Sequence, residues 1–115
     1  GSGGIGAAAG ALFAREGAAV VLVDRDEGAL ARVAGEIGSS KVAVCTADVS
    51  DPAQTARYVG LAVERFGSVD IAFLNAGIEG RVAPITEYPV AELDRVLAVN
   101  VRGPFLGIQA VVPHM

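Results

Sequence analysis

Short runs of β-branched and apolar residues alternate in this chain with stretches of helical periodicity. That alternation constrains the fold more than any other feature. Residues 19–23, 41–46 and 69–74 are apolar runs of strand length, too short for helices and typical of strands buried on both faces. Between them lie helix signals. Residues 6–16 place Ile5, Ala9, Leu12 and Phe13 on one stripe, with Arg15 and Glu16 near the end and Gly17 as a stop. Asp26 is a capping residue ahead of Leu30, Val33, Ala34 and Ile37, and Gly38 ends that helix. Asp51-Pro52 opens a third helix carrying Tyr58, Leu61, Ala62 and Phe66, closed by Gly67. Residues 75–89, with glycine and proline, read as a functional loop. Residues 90–99 are helical, with Leu93, Val96 and Leu97 apolar, and residues 105–114 form a further helical segment interrupted by Gly107 and Pro113. Strands alternating with helices imply parallel strands joined by right-handed crossovers, hence a doubly wound α/β sheet over residues 1–115 as one domain. The chain opens on a glycine turn that ordinarily follows a strand. The expectation is therefore an incomplete sheet, with the first strand and the C-terminal part missing.

Composition excludes several classes of function. The chain is 52% hydrophobic and 19% charged, a core-forming rather than a disordered balance. Net charge is −4 and Lys41 is the single lysine, so no basic stripe exists to displace the counterions of a nucleic acid. An anion held by backbone amides stays possible. Cys45 is the only cysteine, which rules out an internal disulfide and favours a reducing, cytoplasmic setting. The longest fully apolar run, residues 18–23, is far short of the ~20 residues a membrane helix needs, and no signal peptide is visible. No metal-ligand spacing is present.

Five places carry candidate chemistry. Gly1-Ser2-Gly3-Gly4-Ile5-Gly6 leads straight into a helix, where glycines allow close approach to a phosphate and the helix N-terminus supplies N–H donors and positive potential. Asp24 ends the strand that follows, 18 residues after Gly6. A dinucleotide fold needs an acid about 20 residues on to accept hydrogen bonds from a ribose. Such a carboxylate repels a 2′-phosphate and so favours NAD over NADP, although the adjacent Arg25 offsets this in part. An ordinary exposed Asp in a turn is the alternative. Asp48, in Ala47-Asp48-Val49, falls at the end of the next strand, where ligands collect in parallel sheets; it reads as an adenine contact or as a cap. Asn75-Ala76-Gly77 follows the next apolar run, and ligand approach and a plain Asx turn fit it equally. Asn100 sits among Leu97, Ala98, Val99 and Val101. A buried amide there needs partners, and capping between two helical segments accounts for it without any ligand.

Taken together, these residues resemble the short-chain dehydrogenase/reductase family. Gly4-Ile5-Gly6 is similar to the end of that family's Thr-Gly-x-x-x-Gly-Ile-Gly turn, with Gly1-Ser2-Gly3 in the variable places. Asp24 matches the acid of NAD-preferring members, Asp48-Val49 the adenine contact, Asn75-Ala76-Gly77 the signature after the fourth strand, and Asn100 the asparagine of the catalytic tetrad. The resemblance covers essentially the whole chain. It implies a Rossmann-type sheet and a cofactor site built from Ser2, Gly4, Ile5, Gly6, Asp24, Arg25, Asp48, Val49, Asn75, Ala76 and Gly77. It also implies NAD as cofactor with NADP second, and hydride transfer to or from a small alcohol or carbonyl compound. Leu74 replaces the asparagine often found before Asn-Ala-Gly.

The family's catalytic Ser and Tyr-x-x-x-Lys are not found in this stretch. Tyr58 is followed four places on by Ala62, and Tyr88 by Glu92. The expectation is that this stretch is the inactive cofactor-binding part of an oxidoreductase, with weak cofactor binding on its own. A non-catalytic dinucleotide-sensing module is the rival. The resemblance further implies a homo-oligomer, tetramer or dimer, in which exposed Phe105, Leu106, Ile108 and Val112 meet a second subunit.

Overall fold

Asp26 and Asp51 set where two helices begin. In the computed structural model, which describes residues 1–115, Asp26 Oδ1 accepts from the Ala29 amide at 2.9 Å and Asp51 Oδ1 from the Gln54 amide at 3.0 Å. Each carboxylate satisfies an amide that the first helical turn leaves unpaired. Gly38 and Gly67 terminate the same helices with φ of +65° and +89°, a left-handed conformation that a side chain would strain. The elements in order are α1 (Gly4–Arg15), β1 (Val20–Asp24), α2 (Glu27–Ile37), β2 (Val42–Thr46), α3 (Pro52–Phe66), α4 (Val90–Leu97) and α5 (Gly103–Val111). A π-helical turn, Ala98–Arg102, joins α4 to α5, and 3₁₀ turns lie at Ile85–Glu87 and Val112–His114.

β1 and β2 pair in parallel, with Val20 opposite Val42 and Asp24 opposite Thr46. Alternate strand residues face opposite sides, and each side has its own core. On one side Leu22 of β1 packs with Leu30 and Val33 of α2, flanked by Ala7, Val20 and Val42. On the other, Cys45 and Ala47 pack with Tyr58, Val59 and Val111 from α3 and α5, flanked by Val21 and Val23. Helices thus cover both faces, which is the doubly wound arrangement expected, here with a sheet of two paired strands.

Three expectations change. Residues 69–74 form no strand. A strand exists only as part of a hydrogen-bonded ladder, and here a cleft of about 340 Å³, lined by Phe13, Val21, Val23, Ile71 and Phe73 among others, separates this run from β1. Phe13 and Phe73 meet edge to face with centroids 6.4 Å apart. Second, the stripe on α1 turns inward only in part: Ala9 and Phe13 are half-buried, whereas Ile5 is 71% exposed and Leu12 45%, and the buried residues are Gly6 and Gly10. A Cβ on Gly10 would lie 2.6 Å from Leu22 Cδ2, so α1 approaches β1 through its glycine face. Third, Val90–His114 is continuously helical and, by length and composition alone, long enough and apolar enough to cross a membrane. Arg102 interrupts this stretch, and Gly103, Gly107 and Val111 are buried.

Leu30 is fully buried between α2 and the sheet. In the complete protein Leu30→Ala should therefore cost about 2–5 kcal/mol in chemical denaturation, the range for a leucine cavity. A loss below about 1 kcal/mol would mean that this core does not support the domain.

Candidate functional site

The site begins where the backbone folds back on itself. The chain from Gly1 runs into α1, whose first helical hydrogen bond is from the Ala7 amide to the Gly3 carbonyl. The amides of residues 4–6 therefore precede the helical ladder and point out of its positive end. Gly1 lies against β1: its nitrogen donates to the Val23 carbonyl, and a Cβ there would fall 2.8 Å from Val23 N. No side chain fits. A Cβ on Gly6 would lie 3.2 Å from Gly1 Cα and 3.4 Å from Asn75 Nδ2, so the turn and Asn75 close on one another.

Asp24 ends β1 directly beneath this turn. Its Oδ2 accepts from the Ser2 hydroxyl at 2.7 Å, the Ser2 amide at 3.0 Å and the Gly1 nitrogen at 3.1 Å. Its Oδ1 accepts from the amides of Arg25 at 2.7 Å and Asp26 at 3.2 Å. Burial by itself pushes this carboxyl up. The Ser2 hydroxyl and amide and the Asp26 amide outweigh it and hold the pKa well below the ordinary carboxylate range. Asp24 is thus a firmly ionised group facing the glycine turn.

Asp48 lies two residues past the register partner of Asp24. Its Oδ1 accepts from the Ser50 hydroxyl at 2.6 Å and the Ser50 amide at 2.9 Å. These bonds lower its pKa against some burial, helped by Arg25 and Arg102. The cap weighed for Asp48 is supplied by Asp51, and Asp48 instead holds the turn at Ser50; the residue also borders a surface hollow of about 230 Å³ with Arg25, Thr46, Ala47 and Gln54. Gln54 and Thr55 were not anticipated. Gln54 Oε1 accepts from the Asp48 amide at 2.8 Å, and the buried Thr55 hydroxyl donates to the Val49 carbonyl at 3.4 Å. A glutamine three residues after the Asp51 cap was the available signal. Val49 itself packs toward α5, its Cγ2 lying 3.1 Å from where a Gly103 Cβ would be.

Asn100 corrects one expectation: it is exposed, not buried. It lies in the π-helical turn, a local widening that often marks functional sites. Its Oδ1 accepts from the Ile78 amide and its Nδ2 donates to the Ile78 carbonyl, both at 2.8 Å. The segment Asn75–Ala76–Gly77 is thereby tied at one end to the glycine turn and at the other to Asn100, which lies 3.5 Å from a Cβ built on Gly77. Ile5, although within the turn motif, faces solvent. Tyr58 is buried in the core, where burial raises its pKa, the reverse of what a general base needs. Leu106 is only partly exposed, whereas Phe105, Ile108 and Val112 are 61%, 54% and 59% exposed.

Together, a sheet with helices on both faces and an acid beneath a glycine turn at a strand end define the nucleotide-binding class of α/β proteins. The family model for short chain dehydrogenases matches residues 1–115, and the chain belongs to that family of oxidoreductases. It is 41% identical over 119 residues to levodione reductase of Leifsonia aquatica, covering 100% of this chain and 45% of the relative. A 3-ketoacyl-ACP reductase from Sinorhizobium meliloti 1021 superimposes with a TM-score of 0.94 at 37% identity, covering 98% of this chain and 45% of that one. A 3-ketoacyl-(acyl-carrier-protein) reductase from Brucella melitensis, solved with NADH, does so with a TM-score of 0.86 at 40% identity, over 95% and 46% of the two chains. The chain thus spans about 45% of the length of the relatives it matches.

Asp24 is ordinarily a group of pKa 3.8 that the fold lowers, so its contribution to stability is present above that pH and is lost as pH falls through the folded value. Between about pH 5 and about pH 2, thermal unfolding of the parent should lose stability more steeply than that of Asp24→Asn. Parallel profiles would show that the carboxylate contributes nothing to the fold.

Proposed function

We propose that the complete protein is an NAD-dependent oxidoreductase acting on a small alcohol or carbonyl compound, and that this chain supplies its grip on the cofactor. The carrying observation is the ionised Asp24 carboxylate set beneath the glycine turn. The residues fit the group. Gly1 leaves backbone where a side chain would collide and Gly6 leaves it where one would be tight, the start of α1 offers amides and positive potential to a pyrophosphate, and Asp24 accepts from a ribose hydroxyl while repelling a 2′-phosphate. Arg25 and Asp48 border the neighbouring hollow in which an adenine would lie, and the NADH held by the Brucella relative supports the same assignment.

When bound, the nicotinamide supplies or takes up the hydride. The residues here bind and orient. Asn75, Ala76 and Gly77 let backbone come close to the cofactor, and Asn100 belongs to the catalytic set on the family's pattern. In this chain both ends of its amide hold Ile78, so it also fixes the Asn75–Ala76–Gly77 segment. The other proton-transferring groups of the family are assigned outside this stretch, because Tyr58 is a core residue and neither tyrosine has a lysine four places on. The exposed apolar residues Phe105, Ile108 and Val112 of α5 and the turn after it support a homo-oligomer, and the unpaired Cys45 supports a reducing, cytoplasmic setting.

In steady-state kinetics of the complete protein, NAD should be preferred over NADP, and Asp24→Ala should erode that preference by about ten-fold or more, the loss of a charge-assisted hydrogen bond. The 115 residues alone should show no NAD-linked alcohol oxidation and no micromolar NAD binding by calorimetry. Turnover by the isolated stretch, or an unchanged preference in Asp24→Ala, would contradict this reading.

A further inference from the structure

A carboxylate has roughly four acceptor positions. Beside the Gly1 nitrogen, which already donates to the Val23 carbonyl, Asp24 meets four protein donors: the Ser2 hydroxyl and the Ser2 amide on Oδ2, and the Arg25 and Asp26 amides on Oδ1. Both oxygens are in full use while the side chain stays 29% exposed. A ligand hydroxyl can therefore reach Asp24 only if a protein donor withdraws. Three of the four are main-chain amides fixed by the glycine turn and by the entry to α2. They cannot turn away without moving the backbone. The Ser2 hydroxyl alone is a free rotor, and it makes the shortest of the three bonds to Oδ2.

We infer that the Ser2 hydroxyl is a resident stand-in for the ligand's ribose hydroxyl at Asp24, a positioning group that yields on binding and so limits affinity for the cofactor with a free 2′-hydroxyl. This rests on the proposed function and adds a residue that sets its strength. The hydroxyl satisfies Asp24 before the ligand arrives and must surrender that bond when it does. Removing it leaves the carboxylate in place, because the backbone amides still hold it, and opens Oδ2. A cofactor carrying a 2′-phosphate gains nothing, since Asp24 repels it whether or not Ser2 donates.

Calorimetric titration of the complete protein tests this with three probes: NAD, NADP and an NAD analogue lacking the adenosine 2′-hydroxyl. Ser2→Ala should bind NAD about three- to ten-fold more tightly, the worth of one competing hydrogen bond, with NADP and the deoxy analogue unchanged. Ser2→Thr, which keeps the hydroxyl, should bind as the parent does. Weaker or unchanged NAD binding in Ser2→Ala overturns the inference. An equal gain for all three probes also overturns it, because a purely structural effect would act that way. Asp24→Ala separates the two levels. If that variant keeps parental NAD affinity, the reading of the site fails; if it loses NAD affinity while Ser2→Ala shows no gain, only the role of Ser2 fails.

Discussion

The carboxylate of Asp24 joins two pieces of chain that local structure alone would leave apart. It stands at the end of β1, and the donors on its Oδ2 come from the turn entering α1. A charged acceptor, partly buried, is costly unless its lone pairs are met, so the turn cannot relax away from the strand without exposing that cost. The main-chain contact of Gly1 with Val23 is permitted only by the absence of a side chain. Position of the turn, direction of α1 and ionisation of the acid are therefore one arrangement.

The rest of the site is placed by the same economy of contacts. α1 reaches the sheet through Gly6 and Gly10, which keeps its N-terminus close to the end of β1. Asp48 is fixed from two sides, by Ser50 on its carboxylate and by Gln54 on its amide. Asn100 reaches across to Ile78 with both ends of its amide, drawing the π-helical turn against the segment that begins at Asn75. Asp24, Asp48 and Asn100 each bond to backbone, which is how a binding surface is kept in shape before a ligand arrives.

Much of this was legible in the residues, for reasons that differ by element. The bounds of α2 and α3 follow from Asp26, Gly38, Asp51 and Gly67, whose effects are local and act within one helical turn. β1 and β2 follow from β-branched runs that find each other across one crossover. Residues 69–74 carry the same kind of pattern and yet form no strand, because a ladder needs a neighbour and no composition supplies one. The helical stripe on α1 held for Phe13 but misled at Ile5 and Leu12, because periodicity counts apolar side chains, whereas the closest packing uses glycines and leaves Ile5 in solvent. Asp24 was legible from spacing, but its partner Ser2 as a hydrogen-bond donor to it was not. Nor was the exposure of Asn100, since apolar neighbours in sequence do not reveal which side of a π-helical turn a residue occupies.

The central claim is that the glycine turn and Asp24 form one grip for an adenine dinucleotide. A crystal structure of the complete protein with NAD tests it most directly. The expected result is an adenosine ribose hydroxyl at about 2.6–3.2 Å from an Asp24 carboxylate oxygen, with the pyrophosphate over the first amides of α1. A cofactor bound elsewhere, or one whose ribose leaves Asp24 engaged only with the turn, would contradict it.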